Sequence, residues 1–204
     1  MLECCTLLGA LAEATSTIEL GTMVANVWNR QPGALVTAAA TVAIVSGGRR
    51  LHLGIGAGSS PSSPFAREQV VTGAPPVADL AERHRRLVDV VELARRTWAE
   101  DRDAELATFP LPRPRPSILV GTNGPTLSRI AGEIADGINV PWRHERRDEL
   151  LAVATDAAGS RPFERTVYAL YDRALLDPEH PDRMAMAEMD VDRLILVQLG
   201  ELAW

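Results

Sequence analysis

The sequence predicts an α/β protein in which parallel strands alternate with helices. The first observation is the stretch 51–58, a short apolar run that ends in glycines and follows a long helix-like segment. The second is that similar apolar runs recur after later helical segments, and strands apolar on both faces are typical of parallel sheets covered by helices. A parallel strand that ends in glycine brings backbone N–H groups close to a ligand. We therefore expect a pocket at the C-terminal ends of the strands.

Helical spacing of apolar residues predicts helices over 5–14, 33–45, 77–98, 126–135, 148–158 and 181–189. In the second of these, Pro32 suits the first turn and Gly47 suits the position just after the last turn. Short apolar runs predict strands over 18–24, 51–55, 118–121, 137–140, 166–170 and 194–197. Residues 25–31 are expected to be a polar connection, 65–79 irregular, and 100–117 an exposed proline-rich connector.

Six strands alternating with helices fit two architectures, an open doubly wound sheet and a (β/α)₈ barrel. A barrel of this kind takes about 250 residues and has eight strands. This chain is shorter than that, and its predicted strands are two fewer than eight. Its 204 residues, 46% of them hydrophobic, are enough for one core, and we expect a single domain over 1–204.

The net charge of −6 argues against nucleic acid as a partner. The most basic stretch, 83–86, falls in an amphipathic helix and is expected to be a solvated face. Cys4 and Cys5 are adjacent, which implies no disulfide framework. No signal peptide is recognised, and the longest apolar run, 34–45, is too short to span a bilayer. A cytoplasmic protein that does not act at a membrane is predicted.

Several segments in a fixed order carry a family resemblance. They are LLGALAEATS at 7–16, IELGTMV at 18–24, NRQPGAL at 29–35, SGGR at 46–49 followed by LGIGAG at 53–58, PSILVGTNGP at 116–125, and ADGIN at 135–139. Together they resemble the bacterial luciferase-like monooxygenase family, in its flavin- or deazaflavin-dependent branches. The resemblance is dense over 2–139 and weaker over 191–197.

The resemblance implies a TIM barrel rather than an open sheet, here a (β/α)₈ barrel apparently lacking its first two strands. It implies an oxidoreductase or monooxygenase that transfers a hydride through reduced FMN or coenzyme F420 to a small organic substrate. The family's first two strands carry flavin and substrate contacts, and in the deazaflavin branch a catalytic histidine and a nearby tryptophan. No residue of this chain takes those roles, so the catalytic residues are unknown and an N-terminal truncation is expected.

The resemblance also points to cofactor-binding residues at the strand ends. Thr22 and Met23 lie where the family packs on the flavin ring, often with a bulge or a non-proline cis peptide; the alternative is an interior hydroxyl and a core filler. Ala57, Gly58 and Ser59 lie where family members often hold a threonine or an acid. Ser59 can bond a ribityl hydroxyl or phosphate, but it cannot act as a general acid near neutral pH.

The strongest phosphate candidate is the turn formed by Gly121, Thr122, Asn123, Gly124 and Thr126. A strand ends in glycine there and a helix begins near Pro125, so free N–H groups and the helix dipole favour an anion. The alternative is that Asn123 or Thr126 only caps the helix.

Other polar and aromatic residues have weaker signals. Asn139 and Trp142 end a strand and are substrate candidates, although Trp142 could instead cover the barrel rim. His52 is expected to be a packed histidine, and His84, His144 and His180 are expected at the surface. No spacing of ligands predicts a metal site, because Cys4 and Cys5 have no partner set.

The second hypothesis is a non-catalytic protein, a flavin-binding or dimerising remnant of such an enzyme. Missing strands would leave sheet edges near residues 18 and 194 unpaired, and exposed edges invite another chain. A homodimer is therefore expected.

Overall fold

The computed structural model of the protein describes residues 2–198 and 200. The chain divides into two compact units, Met1–Gly121 and Thr122–Trp204, and each is described by itself. The expectation of a single domain over 1–204 stays a prediction.

The first unit contains four helices and four strands in the described part of the chain. They are α1 (Cys4–Ala14), β1 (Leu20–Gly21), β2 (Ala25–Asn26), α2 (Pro32–Val45), β3 (Leu51–Gly56), α3 (Ala66–Val71), α4 (Leu80–Thr97) and β4 (Ser117–Gly121). Both β1 and β2 pair with β3, β3 pairs with β4, and all these pairings are parallel. Strand β3 is buried along its whole length, as a run that is apolar on both faces predicts.

Four element predictions in this unit need correction. Within the strand expected over 18–24 only β1 is a strand, and β2 lies inside the expected connection 25–31. The region 65–79, expected to be irregular, contains the helix α3. Helix α4 begins at Leu80 rather than 77, because the Asp79 side chain accepts from the Ala81 N–H and caps the helix there.

The second unit continues the alternation of helix and strand. Its elements are α5 (Pro125–Ile134), β5 (Gly137–Pro141), α6 (Arg147–Ala158), β6 (Glu164–Leu170), α7 (Pro181–Glu188) and β7 (Arg193–Val197). Strands β5, β6 and β7 pair in that order, all parallel. Gly132 lets helices α5 and α6 pack closely. A Cβ at this position would lie 2.2 Å from the Ala154 carbonyl oxygen. The predicted elements of this half are confirmed, with small shifts of their ends.

Within residues 2–198, no helix is both long enough and apolar enough to cross a membrane.

Candidate functional site

The chain bulges between β1 and β2. Three residues, Thr22, Met23 and Val24, separate Gly21 from Ala25, whereas only two residues of β3 separate their partners His52 and Ile55. An extra residue opposite a regular partner strand is a β-bulge. The Met23–Val24 peptide bond is cis. The structure thus has both features that the family resemblance implies for this segment.

The Val24 side chain fills the space beside three glycines. A Cβ on Gly56 would lie 2.8 Å from Val24 Cγ2, and one on Gly121 would lie 2.8 Å from Val24 Cγ1. A Cβ on Gly54 would lie 2.0 Å from the Thr22 carbonyl oxygen. These glycines admit the bulge, because any side chain there would collide with it. The expectation that they also bring bare backbone to a ligand stays a prediction.

The bulge presents an apolar surface at the C-terminal ends of β1 and β3. The Val24 side chain is 40% exposed and Met23 is 37% exposed, although both lie beside buried strands. Thr22 holds the bulge in place, since its hydroxyl donates to the Gly54 carbonyl at 2.6 Å and its N–H donates to the His52 carbonyl at 3.0 Å. Val24 is a candidate that the sequence reasoning missed; its only signal was its place next to Met23.

A buried glutamine organises the loop that follows β3. Gln69, on α3, is fully buried. Its Oε1 accepts from Asn26 Nδ2 at 3.1 Å and from the Ser59 N–H at 3.3 Å, and its Nε2 donates to the Pro75 carbonyl at 2.9 Å. Gly58, between Ala57 and Ser59, has a φ of +83°. The loop 57–59 is therefore held by side chains from β2 and α3, and sequence reasoning missed this network because Gln69 lies in a segment without periodic signal.

The basic stretch of α4 is only partly a solvated face. His84 is only 8% exposed, and burial together with the neighbouring Arg83 lowers its pKa. Arg83 Nη1 donates to the Gly58 carbonyl at 3.0 Å. Arg86 donates to the Arg30 carbonyl and lies 5.5 Å from the centre of the Trp28 ring. The prediction that 83–86 faces solvent holds for Arg85, which is exposed, but it was wrong for Arg83 and Arg86, whose guanidinium groups bind backbone carbonyls. The expectation that His84 is at the surface was also wrong.

The turn before α5 is closed by its own hydroxyl groups. Thr122 is buried, accepts from the Gly124 N–H at 3.2 Å, and lies 3.5 Å from the Ser128 hydroxyl. Helix α5 has Gly124 as its N-cap residue and Pro125 in its first turn, and no side chain caps it in the described structure. The alternative that Asn123 or Thr126 caps the helix is therefore wrong. Both side chains are exposed at a helix start whose N–H groups favour an anion.

Both substrate candidates, Asn139 in β5 and Trp142 just after it, are buried. Asn139 donates from Nδ2 to the Thr166 hydroxyl at 2.7 Å, and that hydroxyl donates to the Ile138 carbonyl. Trp142 is 1% exposed, and the Arg147 guanidinium lies 3.7 Å from its ring centre. One face of the indole is therefore already covered, which favours the packing alternative for Trp142.

The remaining histidines have local partners. His52 is buried, and its Nε2 lies 2.9 Å from Glu19 Oε2, as expected of a packed histidine. The His144 and His180 rings each accept one backbone N–H, from Arg146 and Asp182 respectively, and both residues are half-buried.

Parallel strands with helical crossovers define an α/β protein. An F420-dependent secondary alcohol dehydrogenase in complex with an F420-acetone adduct superposes with a TM-score of 0.68 at 18% identity, covering 94% of this chain and 68% of that one. The TIM-barrel-like α/β fold predicted from the sequence is thereby confirmed. The luciferase-like monooxygenase family model matches residues 2–170, and the chain belongs to this family.

Curated relatives lie in the deazaflavin branch. The chain is 30% identical over 181 residues to the F420-dependent hydroxymycolic acid dehydrogenase of Mycobacterium tuberculosis, covering 83% of this chain and 47% of the relative. It is 30% identical over 203 residues to the F420-dependent glucose-6-phosphate dehydrogenase of Segniliparus rotundus, covering 95% and 52%. The chain thus spans about half the length of these relatives.

Proposed function

We propose that this chain forms part of a deazaflavin-dependent oxidoreductase that transfers a hydride between coenzyme F420 and a small organic substrate. Its membership of the luciferase-like family, together with relatives that carry F420-dependent names, is the observation that supports the proposal most directly. FMN is the alternative cofactor. The bound cofactor supplies the hydride chemistry, and the protein supplies binding and orientation.

The bulge is the proposed ring-side surface. Met23 and Val24 present exposed apolar side chains where the strands end, and an aromatic ring system gains free energy by covering such a surface. Thr22 acts on this surface through the backbone, because its hydroxyl fixes the bulge to Gly54. Gly56 and Gly121 support this surface from below, since a Cβ on either would strike Val24 and displace it.

The start of α5 is the proposed phosphate-binding element. Gly124 leaves the helix start without a side-chain cap, so its first N–H groups can meet an anion. Asn123 and Thr126 are exposed beside them and can add side-chain hydrogen bonds, while buried Thr122 shapes the turn. Gly121 precedes this turn as the last residue of β4.

The loop 57–59 is proposed to orient the cofactor rather than to move protons. Ala57 and Gly58 use their carbonyls internally, as acceptors for Trp28 Nε1 and Arg83 Nη1. The Ser59 hydroxyl can bond a ribityl or phosphate oxygen, but a serine does not act as a general acid near neutral pH. Asn139 and Trp142 remain the proposed substrate-side residues, and the catalytic residues are not assigned.

Absorbance titration of the purified chain with coenzyme F420, and separately with FMN, tests this proposal. We expect saturable binding of F420. An Asn123→Asp change should weaken binding by about tenfold or more, because it places a negative charge beside the phosphate position. The same charge at a helix N-terminus favours the helix, so the free energy of unfolding should not fall.

Asn29→Asp is the matched control, since Asn29 is not one of the residues proposed to bind the cofactor and its side-chain oxygen accepts from the Thr72 hydroxyl. Binding should be unchanged in that variant. If neither cofactor binds, or if Asn123→Asp binds as well as the unmodified chain, the proposed site is wrong. Binding without turnover by any hydride donor would instead support the second candidate function, a non-catalytic flavin-binding or dimerising protein.

We also propose that the protein is a cytoplasmic homodimer. Among the described strands, β1 and β2 pair only with β3, and β7 pairs only with β6, so each has an outer edge that can pair with another chain. Two free cysteines are in keeping with a reducing compartment.

A further inference from the structure

Two thiols and a carboxylate converge at the start of α1. Cys4 Sγ lies 3.9 Å from Cys5 Sγ and 3.7 Å from Glu3 Oε1, and the three ligand atoms all lie within 4.8 Å of one another. The helix start creates this arrangement. Glu3 is the N-cap residue, and its carboxylate folds back to accept from the Cys5 and Thr6 N–H groups. The expectation that the two cysteines have no third ligand overlooked this capping.

The separations match the edges of a tetrahedral metal site. Two sulfurs that each lie about 2.3 Å from a tetrahedral zinc ion are about 3.8 Å apart, and a sulfur and a carboxylate oxygen are about 3.5 Å apart. The observed distances of 3.9 Å and 3.7 Å are close to these values. The third pair, Cys5 Sγ and Glu3 Oε1, lies within 4.8 Å, so an ion can bind among the three atoms after side-chain rotation. The exposed side of Cys4 and Glu3 leaves its fourth position to solvent.

A second carboxylate lies near the thiols, because Glu68 of α3 is close enough to act electrostatically on Cys4. The positive group here is Arg30, which pairs with Glu3. A cation bound to the carboxylate would take its place.

We propose that Cys4, Cys5 and Glu3 form a binding site for one soft divalent cation, with Zn²⁺ as its representative. Thiolate ligands select ions of this class over Mg²⁺ and Ca²⁺, which prefer oxygen. The site uses helix α1 and none of the residues proposed to bind the cofactor. It is therefore independent of the oxidoreductase proposal.

Calorimetric titration of the chelator-treated full chain with ZnCl₂ tests the site. We expect one ion per chain, with release of protons and an affinity that rises from pH 6 to pH 8, because the metal competes with protons for the thiols. With CdCl₂ an ultraviolet charge-transfer band should show that sulfur is bound. Cys4→Ser and Glu3→Gln should each weaken Zn²⁺ binding by at least about tenfold.

Glu13→Gln on the same helix is the control and should bind Zn²⁺ like the unmodified chain, because Glu13 is exposed and is not one of the three ligands. Circular dichroism should show the same fold for Cys4→Ser, whose thiol is only half-buried. Unchanged binding in Cys4→Ser, or a cadmium complex without the sulfur band, would overturn the site. Unchanged binding in Glu3→Gln would overturn the three-ligand set.

Discussion

At the scale of single residues, the Val24 side chain explains why glycines are needed at the strand ends. Its two methyl groups occupy the volume that a Cβ on Gly56 or Gly121 would need. A glycine in the sequence shows that space is required at that position, but it does not show whether a ligand or a distant side chain fills the space. The binding surface that we propose at this strand end is therefore the exposed side of the bulge and not the glycine backbone beneath it.

A Gly56→Ala substitution tests this packing. The new methyl group would meet Val24 Cγ2 at 2.8 Å, so we expect a loss of about 1–3 kcal/mol in the free energy of unfolding. Adding Val24→Ala should restore much of the lost free energy of unfolding. The effects of the two substitutions should therefore depart from additivity by about 0.5–3 kcal/mol. Denaturant unfolding of both single variants and the double variant measures this coupling.

Gly33→Ala is the control for the glycine change itself. Gly33 lies in α2 with no atom within 4 Å of its ideal Cβ position, so the variant should be as stable as the original chain or up to about 1 kcal/mol more stable. Additive effects of Gly56→Ala and Val24→Ala would contradict the proposed contact.

At the scale of elements, periodic apolar runs were enough to predict nearly every helix and strand. Burial on one face of a helix or on both faces of a strand leaves a local pattern, and β3 and α5 follow it. The exceptions are elements that depend on distant partners. Helix α3 carries Gln69, whose hydrogen bonds reach Asn26 on β2, and such a contact leaves no trace in the local sequence.

Helix α4 should make the stability of the protein depend on pH. Burial and the adjacent Arg83 lower the pKa of His84 in the folded protein, whereas the unfolded chain takes up the proton near the ordinary value of about 6.5. The unfolded state then binds more protons in this window. We expect full stability above about pH 6.5 and a progressive loss as the pH falls toward the lower pKa of folded His84.

His84→Gln should make the unfolding free energy less dependent on pH below about 6.5, as measured by denaturant melts at several pH values. A pH dependence of His84→Gln that equals or exceeds that of the unmodified chain would argue against His84 as the cause.

At the scale of the whole molecule, the ordered segments from 7 to 139 were enough to identify the family, because several spaced motifs are more specific than any single glycine run. The residues that contact the cofactor and substrate could not be predicted from the sequence in the same way. Side chains that contact a cofactor or substrate come from loops, and their roles depend on what lies opposite. This chain matches only about half of the length of its curated relatives.

The proposed homodimer is the prediction that belongs to this largest scale. Strand β1 has an outer edge, and Ile18 just before it is 51% exposed. Natural proteins place lysines on edge strands to prevent pairing with another chain. A lysine at position 18 would bring such a charge to the edge that the second copy is proposed to cover. Ile18→Lys should therefore shift the protein toward monomers, as measured by light scattering coupled to size-exclusion chromatography over a range of concentrations.

Ile44→Lys provides the matched comparison, since Ile44 is 47% exposed on α2 and lies on a helix rather than a strand edge. A monomer at every concentration, or an equal effect of the two lysines, would show that this edge does not form the dimer.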